Sequence, residues 1–249
     1  MAGTAVALVW FLTPPALLVV VLLLATAAFA EYVQIVDAIG AKVPWWTALV
    51  ATLAACIVVP FPWVSVEVVL VVGLIAMAAN VLLSDRVGAP TLADTAGGVL
   101  APVYIGLPLG SLVAIDLVAG REAVLVLMGT VALSDTAQYY SGRAFGSRPL
   151  APRRSPKKTI EGAVGGFVVA PAVLVAAGSL WLPGLDPLRL GLLGVLLVLA
   201  GIIGDLFESM LKRAADLKDS SRLIPGHGGV LDRIDALLFC APIFYFFIR

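Results

Sequence analysis

Three polar clusters interrupt a chain that is otherwise 61% hydrophobic. Their residue types suit one chemistry, the handling of a phosphate-bearing ligand together with a hard divalent cation. Wound at about 100° per residue, the stretch 205–217 puts Asp205, Glu208, Ser209, Lys212, Arg213 and Asp216 in one arc and Leu206, Phe207, Met210, Leu211, Ala214 and Leu217 in the other. A second cluster runs from Lys218 and Asp219 to PGHGG at 225–229, then Asp232, Arg233 and Asp235. Glycine N–H groups in such a turn can approach a phosphate with no side chain in the way. A third joins Asp135, Gln138 and Tyr139, at helical spacing, to the run Ser155-Pro156-Lys157-Lys158-Thr159.

Each cluster also has a plainer reading. Asp232 and Asp235 fall in the first turn of a helix, where carboxylates cap and complement the dipole. Lys157 and Lys158 satisfy the positive-inside bias by themselves, and equally suit anionic lipid headgroups. The stripe that starts at Asp205 fits the solvated end of a membrane helix. The sharper reading makes Asp205 and Asp232 carboxylate ligands of Mg²⁺, an ion that takes one or two protein carboxylates and completes its shell with water and substrate phosphate. His227, the only histidine, is flanked by glycines and suits a structural or phosphate hydrogen-bonding role better than proton transfer. His227→Ala is accordingly expected to impair less than Asp232→Asn.

The elements that must carry these clusters are membrane helices. The mean hydropathy of +1.07 over 249 residues exceeds what a soluble core can use. Apolar runs at 5–30, 45–62, 64–83, 98–118, 121–140, 163–182, 187–208 and 236–249 have the length and character of spans of roughly 20 residues. The spacing predicts an all-α, polytopic bundle of about eight helices, with seven to nine allowed because Pro14-Pro15 splits or starts the first and Pro60 and Pro62 shorten the second. The division expected is 1–120 for N-terminal helices and 121–249 for helices carrying the polar loops. The amino terminus has no basic n-region and reads as a retained first span.

Six of the 16 Lys and Arg lie in 141–161 and five in 209–235, which predicts that both loops are cytoplasmic. Two spans separate them, so parity agrees. Sixteen acids balance sixteen bases, which gives no reason to expect a nucleic-acid partner. Cys56 and Cys240 sit in apolar runs without metal-type spacing, so neither a disulfide nor a zinc site is expected.

The polar residues resemble a known signature. Ser209-x-Leu211-Lys212-Arg213, four residues, Lys218-Asp219, then Ile224-Pro225-x-His227-Gly228-Gly229-Val230-x-Asp232-Arg233-Ile234-Asp235 is similar, through 27 residues without a gap, to that of the phosphatidate cytidylyltransferases, the CDP-diacylglycerol synthases. Upstream, Asp135-Thr136-Ala137-Gln138-Tyr139-Tyr140 with Gly142-Arg143 and Phe145-Gly146, and Ser155-Pro156-Lys157-Lys158-Thr159-x-Glu161-Gly162, also resemble that family. Gln138 departs from its common Asp-Thr-Gly-Ala-Tyr pattern. The resemblance covers roughly 130–235, while the first hundred residues offer only apolar helices.

The resemblance implies the reaction of CTP with phosphatidic acid to give CDP-diacylglycerol and pyrophosphate, in a bacterial-type inner-membrane enzyme with its active site facing the cytoplasm. It implies Mg²⁺, a second monovalent cation such as K⁺, and a homodimer. On that chemistry Asp205 and Asp232 are metal ligands with Ser209 as a nearby oxygen, and Asp135 is a further acid facing the nucleotide. Lys212, Arg213, Lys218 and Arg233 neutralise phosphates, with Asp219 and His227 in the same catalytic segment. Lys157, Lys158, Ser155, Thr159, Gly228, Gly229 and Asp235 contact substrate. Two rivals are carried forward: CTP-dependent transfer to another lipid, by a polyprenol kinase or a CDP-archaeol-type synthase, and an ion-coupled transporter using Asp135, Asp205 and Asp232. The absence of an internal repeat weighs against the transporter.

Overall fold

The computed structural model describes residues 2–84, 88–152, 155–182, 184–221 and 228–249. It is helical almost throughout, with α1 (Ala2–Phe11), α2 (Pro14–Ala38), α3 (Trp45–Val58), α4 (Val66–Leu82), α5 (Ala89–Ala101), α6 (Leu107–Phe145), α7 (Ile160–Trp181), α8 (Pro187–Ala214) and α9 (Leu231–Ile248). Among the described residues α2, the run Pro90–Phe145, α7 and α8 are long and apolar enough to cross a membrane. The protein is an all-α integral membrane protein.

Prolines and glycines set the boundaries. Pro14 opens α2, where its missing N–H costs nothing, so the first apolar run divides into α1 and α2. The 14 residues of α3 end at Val58, ahead of Pro60, and span about 21 Å at 1.5 Å per residue, which is short of a full crossing. Between α5 and α6, Pro102–Gly106 form a π-helical turn closed by Leu107 N–H donating to the Pro102 carbonyl. Gly120, at φ 80° and ψ 169°, breaks α6, where the apolar pattern also divides. A helix over 89–101 and a two-stranded antiparallel hairpin, β1 (Pro149–Ala151) with β2 (Ser155–Thr159), add to what the pattern predicts.

The chain divides into two compact units, each discontinuous in sequence: 1–11, 115–210 and 235–249 form the first, and 12–114 with 211–234 the second. In the second, Gly106 and Gly110 let their helix press against α3. A Cβ at either would run into backbone, the Thr52 carbonyl oxygen for Gly106 and the Cys56 carbonyl for Gly110. Close approach through a small-x-x-x-small pair is how membrane helices gain packing without a hydrophobic driving force. Gly110→Val is therefore expected to lower the unfolding temperature in detergent by about 5 °C or more, from overpacking of roughly 2–3 kcal/mol. Gly129→Ala, whose Cβ meets nothing within 4 Å, should leave it unchanged. In the first unit, Gly201 and Gly204 of α8 face Ala236, Phe239 and Cys240 of α9, and the Phe207 and Phe239 rings lie 5.9 Å apart. Cys56 and Cys240 are both free and buried.

Candidate active site

The first unit gathers the polar ends of α6, β2, α8 and α9. Gly204 allows the α9 backbone at Asp235 to come close to α8, which brings Asp205 of α8 toward Asp235. From α6 comes Asp135, admitted because α7 presents glycines to it: a Cβ on Gly162, Gly165 or Gly166 would meet the Gln138 carbonyl, Ser141 or the Gln138 side chain. From β2 comes Lys158, whose Nζ forms an ion pair with Asp205 Oδ2. Asp135, Asp205 and Asp235 lie within electrostatic range of one another and of Lys158. Lys158 thus pairs with one acid and lies in the field of two more.

The supports are local. Gln138 donates to Ser134 Oγ (3.2 Å) and Asp135 Oδ1 (3.3 Å), so the residue that departs from the family pattern orients the acid. A cavity of about 10 Å³ beside them is lined by Thr130, Ser134, Asp135, Gln138 and Cys240, a volume that suits a single water. Thr159 caps α7, its Oγ1 accepting from Gly162 N–H at 3.1 Å. Glu161 closes the loop by accepting from the backbone N–H groups of Ser147 and Arg148 and from the Arg148 guanidinium. Ser155 begins β2, and Lys157, unlike Lys158, is exposed.

From Leu211 to Ile234 the signature segment belongs to the second unit. There α8 ends in a Schellman turn, with Leu217 N–H donating to the Lys212 carbonyl (2.8 Å), Asp216 N–H to the Arg213 carbonyl (3.2 Å) and Asp216 at φ 54°, a left-handed position that aspartate tolerates. Lys212 then pairs with Asp232 Oδ1. Asp232 Oδ2 accepts from Ser220 N–H (2.9 Å) and Gly229 N–H (2.8 Å), with Ser220 Oγ also within hydrogen-bond distance (2.9 Å). Burial raises the pKa of this carboxyl, which precedes the apolar part of α9, but Lys212 and the N–H donors outweigh burial and hold it well below the usual carboxylate range. Gly228 has φ 77°. Arg213, Lys218, Asp219 and Arg233 are exposed and Ser209 is partly so. His227 lies outside the described residues, as do Arg222 and Pro225.

Asp205 and Asp232, expected as metal ligands, are each held by a lysine, Lys158 and Lys212, within separate units. Among the described residues no three acidic, histidine or cysteine side chains close into a protein-only metal shell. The acid excess around Lys158 nonetheless fits an ion that takes few protein carboxylates and fills its shell with water and phosphate oxygens. The sequence reading passed over Glu31 of α2. Its carboxylate accepts hydrogen bonds from Ser220, Ser221, Val230 and Leu231. The available signal was its position, as the first charged side chain in the sequence, inside a helix apolar enough to span.

The family model described as the cytidylyltransferase family matches residues 1–249. A phosphatidate cytidylyltransferase of Pseudomonas aeruginosa is 46% identical over 122 residues, 49% of this chain and 45% of its own. One of Bacillus subtilis is 37% identical over 175 residues, 68% and 61% of the two chains. The uncharacterized protein YnbB of Escherichia coli is 43% identical over 130 residues, 52% and 43%. The matched stretches thus span between 43% and 61% of these relatives.

Proposed function

We propose, since the chain belongs to the cytidylyltransferase family over residues 1–249, that it transfers the cytidylyl group of CTP to phosphatidic acid, releasing pyrophosphate and leaving CDP-diacylglycerol in the membrane. The observation that carries this reading is the Lys158–Asp205 ion pair, with Asp135 and Asp235 within its electrostatic range. The names of the relatives from Pseudomonas aeruginosa and Bacillus subtilis supply the substrate class.

A phosphate oxygen of the lipid attacks the α-phosphorus of CTP; the bond from that phosphorus to the bridging oxygen breaks, and the electron pair leaves on pyrophosphate. The nucleophile is already anionic, so no side-chain base is required. The barrier lies in bringing two anions together and stabilising the leaving group, which calls for fixed positive charge and positioning. Mg²⁺, when bound, would supply charge neutralisation at phosphate oxygens; Asp205, with Asp135 and Asp235 in its electrostatic range, is the carboxylate proposed for it in the first unit, and Asp232 the one proposed in the second. Lys158 and Lys212, each holding one of those two acids, are the ammonium groups that turn to phosphate when nucleotide arrives. Arg213, Lys218 and Arg233 provide further exposed cations. The basic stretches 141–161 and 209–235 support a cytoplasmic face for this chemistry, where CTP is available and phosphatidic acid is reached from the lipid plane.

The test uses purified protein in liposomes with labelled CTP, phosphatidic acid and Mg²⁺. The expected result is CDP-lipid and pyrophosphate in equal amounts, both abolished by EDTA. CDP released with a phosphorylated lipid alcohol would make the protein a kinase. Neither product, with an active control enzyme alongside, would overturn the assignment.

A further inference from the structure

We infer that Glu31 is a positioning residue for the signature segment, fixing the start of α9 and reaching Asp232 through Ser220. The inference rests on the proposed function for its consequence in catalysis and on geometry alone for the positioning. Glu31 is 3% exposed. Its Oε1 accepts from Ser221 Oγ (2.6 Å) and Val230 N–H (2.9 Å), and its Oε2 from Ser220 Oγ (2.8 Å) and Leu231 N–H (2.8 Å). Each oxygen takes one hydroxyl and one backbone donor, which fills a carboxylate's four lone-pair positions. The Val230 and Leu231 N–H groups are among those a helix start leaves without an internal partner, and a negative charge there is favoured by the dipole.

Gly229 belongs to the same device. A Cβ at that position would collide with both Ser220 Oγ and Glu31 Oε2, so only glycine admits the carboxylate. The absence of a side chain that suggests approach to a phosphate serves, at this residue, approach to Glu31.

Ser220 provides the coupling. Its hydroxyl lies 2.8 Å from Glu31 Oε2 and 2.9 Å from Asp232 Oδ2, yet it carries one proton. It can serve one carboxylate at a time. A cation drawing on Asp232 frees that proton for Glu31, and loss of the negative charge at Glu31 changes what Asp232 receives. An ionisable side chain inside a spanning helix is costly to place, and holding this segment is the use the structure gives it.

The test compares wild type with Glu31→Gln, Glu31→Asp, Ser221→Ala and Ser220→Ala in liposomes, by hydrogen exchange and by initial rates across Mg²⁺ concentration. An amide offers one acceptor oxygen where the carboxylate offers two. Glu31→Gln is therefore expected to speed exchange at residues 228–232 by about tenfold or more while α7 exchanges as in wild type. It should also raise the Mg²⁺ concentration for half-maximal rate by about tenfold, with Glu31→Asp intermediate. The Glu31→Gln/Ser220→Ala double variant should lose less than the product of the single losses. A merely structural role would reduce the active fraction and leave the Mg²⁺ dependence where it was; that result, or unchanged exchange at 228–232, overturns the inference. If Glu31→Gln aggregates, Ser221→Ala, which removes one donor, must still accelerate exchange there. Should wild type form no CDP-lipid, the functional reading falls, while the exchange data decide the positioning separately.

Discussion

Asp232→Asn is expected to lower CDP-diacylglycerol formation at least about a thousandfold, while the protein remains monodisperse in detergent. The carboxylate takes Lys212 on one oxygen and Ser220 and Gly229 on the other. Asparagine has the same outline but a single acceptor. Whichever way the amide turns, its NH₂ faces either an ammonium or a set of N–H and O–H donors. The carboxyl, held well below its usual range, is ionised at any assay pH near neutrality, so the substitution removes a formal charge. Breaking a largely buried ion pair costs about 3–5 kcal/mol, and losing a stabiliser of developing charge costs about 10²–10³ in rate; Asp232 combines both as a proposed metal ligand. Asp232→Glu keeps the charge and displaces it by one methylene, so an intermediate loss is expected. Rates of pyrophosphate release, set against the unfolding temperature of each variant, check this. An Asp232→Asn enzyme within threefold of wild type would remove the residue from the metal site.

The helical architecture was legible because membrane spans write themselves in composition. Runs of about 20 apolar residues give α3, α7 and α8 nearly as the structure has them, while the run 5–30 divides into α1 and α2 and the runs 98–118 and 121–140 fall across α5, the π-helical turn and α6. The hairpin at 149–159 was not legible. Its strands are three and five residues long and include Pro149 and Pro156, and what holds them is the Glu161 clamp, which has no periodicity to detect. Types and spacings found Asp135, Lys158, Asp205 and Asp235 without saying which would gather. The approach of α6 to α7 and of α9 to α8 depends on glycines in α7 and α8 whose role is to be absent as side chains. Glu31 belongs to no polar cluster: with Asp37 it is one of two charged side chains in α2, and it lies about 190 residues from Ser220 and Ser221 in sequence. A charge inside a spanning helix is a signal by itself.

Lys157 and Lys158 are adjacent and chemically identical, and the sequence offers no ground for separating them. The structure does. Neighbouring residues of a strand point to opposite faces, so in β2 Lys157 is exposed while Lys158 turns in to Asp205 and the field of Asp135 and Asp235. Lys158→Ala is expected to reduce kcat/KM for CTP by about a hundredfold or more, the scale for removing a fixed charge from a site where charge develops. Lys157→Ala should stay within about threefold, the scale of an exposed charge. The loss at Lys158 has two parts. On the proposed function, with Asp205 as a carboxylate for Mg²⁺, removing the ammonium would lower the apparent Mg²⁺ demand, because a lysine would no longer compete for that carboxylate. Without the ammonium, too, the triphosphate loses a partner at the moment pyrophosphate leaves, so kcat falls although the metal binds more readily. Opposite movements of Mg²⁺ half-saturation and kcat would therefore mark Lys158 as a charge that passes from carboxylate to phosphate during turnover. Equal losses at 157 and 158, suppressed together by salt, would reduce both to a general attraction for anions at the membrane surface.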